Sequence, residues 1–121
     1  MPKKILIVDD EPNIVVPLEF LMKQSGYEVM IARNGKEVLE SVVKSRPDLV
    51  LLDIMLPDIT GFEICHTLRT AYDMQDMKII LLTAKSRDSD IEKGMAMGAD
   101  AYIIKPFSTK ELVKKINEMI N

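Results

Sequence analysis

Along the chain, short fully apolar runs alternate with longer segments in which apolar residues recur every three or four positions. Ile5-Leu6-Ile7-Val8 and Leu49-Val50-Leu51-Leu52 are continuous and of strand length, the pattern of strands covered on both faces. Glu28 to Ala32, Lys78 to Leu82 and Ala101 to Ile104 also read as strands. Between them, Ile14, Leu18, Leu21 and Met22 keep helical spacing up to Gly26, with Pro17 expected to bend that helix. Asn34-Gly35 reads as a turn, and Val38, Leu39, Val42 and Val43 as the apolar face of a second helix. Ile64, Cys65, Leu68 and Ala71 give the face of a third. Asp88-Ser89-Asp90 offers caps for a fourth, carrying Ile91 and Met95 and stopping around Gly98. Ser108-Thr109-Lys110-Glu111 fits a capping box that opens a last helix, with Leu112, Val113, Ile116, Met119 and Ile120 inward.

Strand and helix therefore alternate in five units, which predicts an α/β fold: a doubly wound parallel sheet with helices on both faces. Right-handed crossovers bring the carboxyl ends of the strands to one edge, where open sheets of this kind bind ligands. Chemistry collects at that edge. Asp9 and Asp10 follow the first strand, Asp53 ends the third, Thr83 the fourth and Lys105 the fifth. Two unit charges about 4 Å apart at an effective dielectric near 20 repel by roughly 4 kcal/mol, so clustered carboxylates call for a cation or a proton. Oxygen ligands without histidine or thiolate point to a hard ion, and Mg²⁺ suits a site with few protein ligands. A carboxylate beside Mg²⁺ and opposite a lysine can act as a nucleophile toward a phosphoryl group.

Composition narrows the field. A length of 121 residues predicts one domain, residues 1–121, with 47% hydrophobic and 29% charged residues as in ordinary soluble proteins. A net charge of −3 gives no footprint for direct nucleic-acid binding. The lone Cys65 fits a reducing cytoplasm, and no apolar run is long enough for a membrane span or a signal peptide. His66, on the polar side of the third helix, reads as a solvated side chain. The methionines read as core filler or the edge of a partner surface.

Asp9-Asp10, Asp53 followed by Leu56-Pro57 and Gly61, Thr83-Ala84, and Gly98-Ala99-Asp100-Ala101-Tyr102 running into Lys105-Pro106-Phe107 together resemble the receiver domain of two-component response regulators. The resemblance spans essentially the whole chain. It implies a CheY-like, flavodoxin-like (βα)5 domain of strand order 2-1-3-4-5. It further implies that Asp53 accepts a phosphoryl group from a sensor histidine kinase or phosphotransfer protein. Asp10 would hold Mg²⁺ directly, Asp9 through water, and the Met55 carbonyl would add a ligand beside Asp53. Lys105 would pair with the phosphoryl oxygens, and the Lys105-Pro106 bond is expected to be cis. Thr83 would swing onto the phosphoryl group and Tyr102 would move inward, reshaping the face of helix four, strand five and helix five. The implied output is a downstream effector protein or a C-terminal domain outside this chain.

Departures from the family pattern affect output only. Glu111 and Lys115 fit the charged set through which winged-helix regulators dimerise, but Ile91, Ala96, Ala101 and Asn117 stand where charges are expected. A soft apolar docking patch of Ile91, Met95 and Ala101 is expected in place of a tight dimer. The competing class is a Mg²⁺-dependent hydrolase with an aspartyl-phosphate intermediate. Such enzymes usually carry a second aspartate two residues after the nucleophile, where this chain has Met55. The expectation is thus a signalling module, not an enzyme, that promotes only its own phosphorylation and dephosphorylation. No Gly-x-Gly-x-x-Gly or Walker-type loop follows the first strand to suggest a dinucleotide site.

Overall fold

Leu49 to Leu52 are wholly excluded from solvent, and so are Ile5 to Val8. Such runs cannot serve a one-sided sheet, because successive side chains point to opposite faces. The computed structural model, which describes residues 2–84 and 88–120, places them in the middle of a parallel sheet. Its strands are β1 (Lys4–Val8), β2 (Glu28–Ala32), β3 (Leu49–Asp53), β4 (Lys78–Thr83) and β5 (Ala101–Ile104). Their order is β2-β1-β3-β4-β5, as the resemblance implies. Helices α1 (Pro12–Gln24), α2 (Gly35–Ser45), α3 (Gly61–Thr70), α4 (Asp88–Ala96) and α5 (Thr109–Ile120) fill the connections.

The pleat of β3 sorts its side chains between two apolar clusters. Val50 and Leu52 pack with Val38 and Val42 of α2 and with Ile64, Cys65 and Leu68 of α3. Leu49 and Leu51 pack with Leu18 and Met22 of α1 and with Leu112 and Ile116 of α5. Each fully buried Leu or Ile contributes about 2 kcal/mol by leaving water, so the strand cannot slip by one residue without exchanging both sets.

Helix ends follow the local chemistry. Asn34 caps α2 by accepting from the Glu37 amide at 2.9 Å, and Glu37 accepts in return from the Arg33 amide at 3.0 Å. The expected turn at Asn34-Gly35 is thus the N-cap of α2, with Glu37 reaching back one residue beyond it. Thr60 caps α3 through the Glu63 amide at 3.2 Å, and Ser108 caps α5 through the Glu111 amide at 3.1 Å. Helix α1 runs through Pro17, with Pro12 in its first turn, where a missing amide costs nothing.

Three details differ from the pattern read along the chain. Asp88, Ser89 and Asp90 begin α4 instead of preceding it, and the residue ahead of them lies outside the described residues. Val43 is 58% exposed because the apolar arc of α2 is narrower than four residues per two turns. Ala71 is an exposed residue just past the end of α3.

Candidate functional site

Strand register decides which side chains meet at the carboxyl edge. Val8 is level with Leu52, Asp53 with Leu82, and Thr83 with Ile104, so the residues that follow or end these strands emerge side by side. Asp9 prolongs β1 by donating its amide to the Ala32 carbonyl at 3.1 Å, and its carboxylate is completely buried. A buried carboxylate requires partners. One Asp9 oxygen accepts from the Glu11 amide at 3.0 Å and the other from Lys105 Nζ at 3.0 Å. Asp10 is exposed beside it.

Asp53 closes β3 with only 7% of its surface exposed. Its Oδ1 lies 3.4 Å from Lys105 Nζ and accepts a long 3.4 Å hydrogen bond from the Met55 amide. Burial pushes its pKa up; the Lys105 charge and the Met55 hydrogen bond act against that, the Asp9 charge adds to it, and the result is a carboxyl held above its ordinary value. Burial works against the Lys105 charge too, but the hydrogen bond to Asp9 and the charges of Asp53 and Asp9 outweigh it and raise the lysine's pKa. The ammonium is therefore held between the two acids.

Asp9, Asp10 and Asp53 each direct a carboxylate oxygen to within 4.8 Å of the others. Three carboxylates against one lysine leave a surplus of negative charge that a hard divalent cation would offset, and a donor set made only of oxygens fits Mg²⁺. Thr83 is buried at the end of β4, and its carbonyl accepts from the Lys105 amide at 2.7 Å, which fixes where the lysine leaves its strand. The Lys105-Pro106 peptide is cis, as expected. Glu11, Ile14, Asp53, Met55, Thr83 and Lys105 line an open cavity of about 450 Å³. The Met55 side chain is 75% exposed on its rim.

A sequence model of the response regulator receiver domain matches residues 5–117. The chain belongs to that family. Solved receivers share its fold throughout. The chemotaxis response regulator CheY4 of Vibrio cholerae is 30% identical with a TM-score of 0.92, over 98% of this chain and 99% of that one. A CheY-like receiver domain protein from Methanospirillum hungatei is 34% identical with a TM-score of 0.91, over 99% of this chain and 94% of that one. The BeF₃-activated receiver domain of DrrB is 33% identical with a TM-score of 0.88, over 98% and 97%. Receiver domains are signalling modules that work with histidine kinases or phosphotransfer proteins and with output domains, and they bind Mg²⁺ at an acidic pocket. No described helix of this receiver is long and apolar enough to cross a membrane.

Of the residues singled out from the sequence, the receiver's fold brings Asp9, Asp10, Asp53, Thr83 and Lys105 together and sets Met55 on the rim. Tyr102 stands apart on β5, 37% exposed. On α5, Asn117 accepts a hydrogen bond from the Tyr27 hydroxyl. His66 is exposed, as expected, and burial pushes the Cys65 thiol up to about 11, which leaves it unreactive. Two contributors escaped sequence reasoning: the Glu11 amide, which completes the Asp9 shell, and Asp58, which is anchored elsewhere.

Proposed function

We propose that residues 1–121 act as one receiver unit that takes a phosphoryl group onto Asp53 from a histidine kinase or phosphotransfer protein. The observation that carries this reading is Lys105, held within 3.4 Å of Asp53 and 3.0 Å of Asp9 at the edge of an open cavity. An Asp53 oxygen would attack phosphorus, forming the acyl phosphate as the phosphorus–nitrogen bond of a phosphohistidine breaks and the imidazole leaves with the bonding pair. Asp9, Asp10, Asp53 and the Met55 carbonyl would hold Mg²⁺, which when bound neutralises charge on the phosphoryl oxygens.

Lys105 would then exchange Asp53 for those oxygens while keeping Asp9 as its second partner. Thr83 would donate its hydroxyl to the new phosphoryl group, and Tyr102, now outward, would turn in and alter the surface of α4, β5 and α5. The partner reading that surface is an effector protein or an output domain outside this chain. The acidic balance of the chain and its single, unreactive cysteine support a cytoplasmic signalling role without direct nucleic-acid contact. Self-phosphorylation and self-dephosphorylation would be its only chemistry.

Incubation with acetyl phosphate and Mg²⁺ should add one phosphoryl group per chain, seen by intact mass and abolished by Asp53→Asn. Labelling that survives the substitution would sink the assignment. Sustained turnover of small phosphorylated metabolites would instead mark a hydrolase.

A further inference from the structure

The loop that leaves Asp53 is tied down at two places. At its far end, Gly61 donates its amide to the Ile54 carbonyl at 2.9 Å. Near its middle, Asp58 reaches across to another helix. Asp58 Oδ1 accepts from the Gly35 amide at 2.7 Å and from the Ile59 amide at 2.9 Å, while Oδ2 accepts from the Lys36 amide at 3.1 Å. Gly35 and Lys36 are the first residues of α2, where amides have no acceptor within the helix and where the helix dipole favours a negative charge. The next side chain in the loop reinforces the contact. A Cβ built on Gly35 would lie 2.6 Å from Ile59 Cγ1 and 2.9 Å from its Cδ1, so any side chain there would make Ile59 shift.

Helix α2 already carries a side-chain cap in Asn34, and Glu37 reaches back to the Arg33 amide. The Asn34 cap reaches only the Glu37 amide, so the Asp58 bonds take up the Gly35 and Lys36 amides and bind the loop to the helix in the same contact. What they fix is the loop, and Met55 lies in the stretch between Asp53 and this anchor.

We propose that Asp58 is a positioning residue for phosphoryl transfer, latching the β3–α3 loop to the start of α2 so that the Met55 carbonyl is held where the cation site needs it. The inference rests on the proposed Asp53 and Mg²⁺ chemistry. A ligand must be held within about 0.5 Å of its working position, and outer-shell partners of metal ligands typically govern about tenfold or more in affinity. Asp58 would act at that level, through the backbone.

The test is Mg²⁺ titration of the full chain by calorimetry, with the thermal midpoint measured in parallel. Asp58→Ala should raise the Mg²⁺ concentration for half-saturation about tenfold. Asp58→Asn keeps one oxygen for the Gly35 amide and should recover part of that loss; it carries the test alone if the alanine variant does not fold. Asn34→Ala removes the other cap of α2 without touching the loop, so it should lower the thermal midpoint and leave Mg²⁺ binding unchanged. Wild-type Mg²⁺ affinity in the Asp58 variants, or an equal loss in Asn34→Ala, would overturn the proposal. A wild-type protein that neither binds Mg²⁺ nor takes label from acetyl phosphate would overturn the Asp53 reading with it. A labelled wild type with indifferent Asp58 variants would overturn the latch alone.

Discussion

Lys105 Nζ lies 3.0 Å from the carboxylate of Asp9, and Asp9 is completely buried. The lysine thus has a structural duty before any phosphoryl group arrives: it compensates a charge that water cannot reach. Removing one member of such a pair leaves the other desolvated and unpaired, which costs more than the pair itself contributes.

Lys105→Ala should therefore destabilise the metal-free protein by about 3 kcal/mol, reduced from a fully buried case by the partial exposure of the lysine. Mg²⁺ should return much of the loss, since a cation that binds only the folded state stabilises it by mass action. Urea midpoints in EDTA and in excess Mg²⁺ check this. A variant as stable as wild type in EDTA would show that Asp9 has its compensation from another source.

The raised pKa of Asp53 sets the sign of a pH effect. A carboxyl whose folded pKa lies above its unfolded value holds its proton better in the folded state. Its contribution is complete below the unfolded value of about 3.9 and is lost as pH rises through the folded value. In metal-free protein Asp53→Asn should abolish that loss, and at neutral pH the variant should be more stable than wild type, the direction expected when a group kept for function at a cost in stability is replaced. The difference between wild-type and variant thermal midpoints, followed from pH 4 upward in EDTA, separates the effect of Asp53 from that of the other carboxylates. A difference independent of pH would contradict the burial argument.

Gly61 packs directly against the end of β3. A Cβ there would lie 2.6 Å from the Asp53 carbonyl oxygen and 2.9 Å from the Ile54 Cα, both backbone atoms that cannot rotate away. Gly61→Ala should cost about 2 kcal/mol and slow acetyl phosphate labelling, because the loop must shift to make room. Denaturant melts and initial labelling rates test the two halves separately, and an unchanged rate would free the loop from its proposed role.

The sheet was legible because its strands are short, apolar and bounded by turn residues: Ile5 to Val8 and Leu49 to Leu52 admit few other readings. The acidic edge was legible because Asp9, Asp53, Thr83 and Lys105 each stand at or just past a strand's last residue, where sequence position and spatial position coincide. Asp58 was hidden for the opposite reason. After Pro57, an aspartate reads as turn chemistry, and nothing in the order of residues says that its acceptors face Gly35, twenty-three positions earlier. Arg69 was hidden likewise. Its guanidinium is 10% exposed and donates to the Gly98 carbonyl at 2.9 Å, the Met74 and Met77 carbonyls at 2.6 Å and Asp100 at 2.8 Å. A cation on an amphipathic helix ordinarily reads as solvated, and only the folded chain brings these acceptors, with the Gln75 carbonyl at 3.4 Å, around it. Val43 was misjudged because spacing gives the direction of an apolar face but not its width, and Ala71 because spacing does not say where the helix ends.

Because Val50 and Leu52 point into one apolar cluster and Leu49 and Leu51 into the other, the sheet acts as a partition. A cavity opened beneath α5 leaves the packing beneath α3 in place, and the reverse holds. The protein can thus be rebuilt one compartment at a time, by drift or by design, with the strand backbone as the shared wall. Joint constraint returns at the carboxyl rim, where the loop from one compartment and the lysine from the other converge on Asp53.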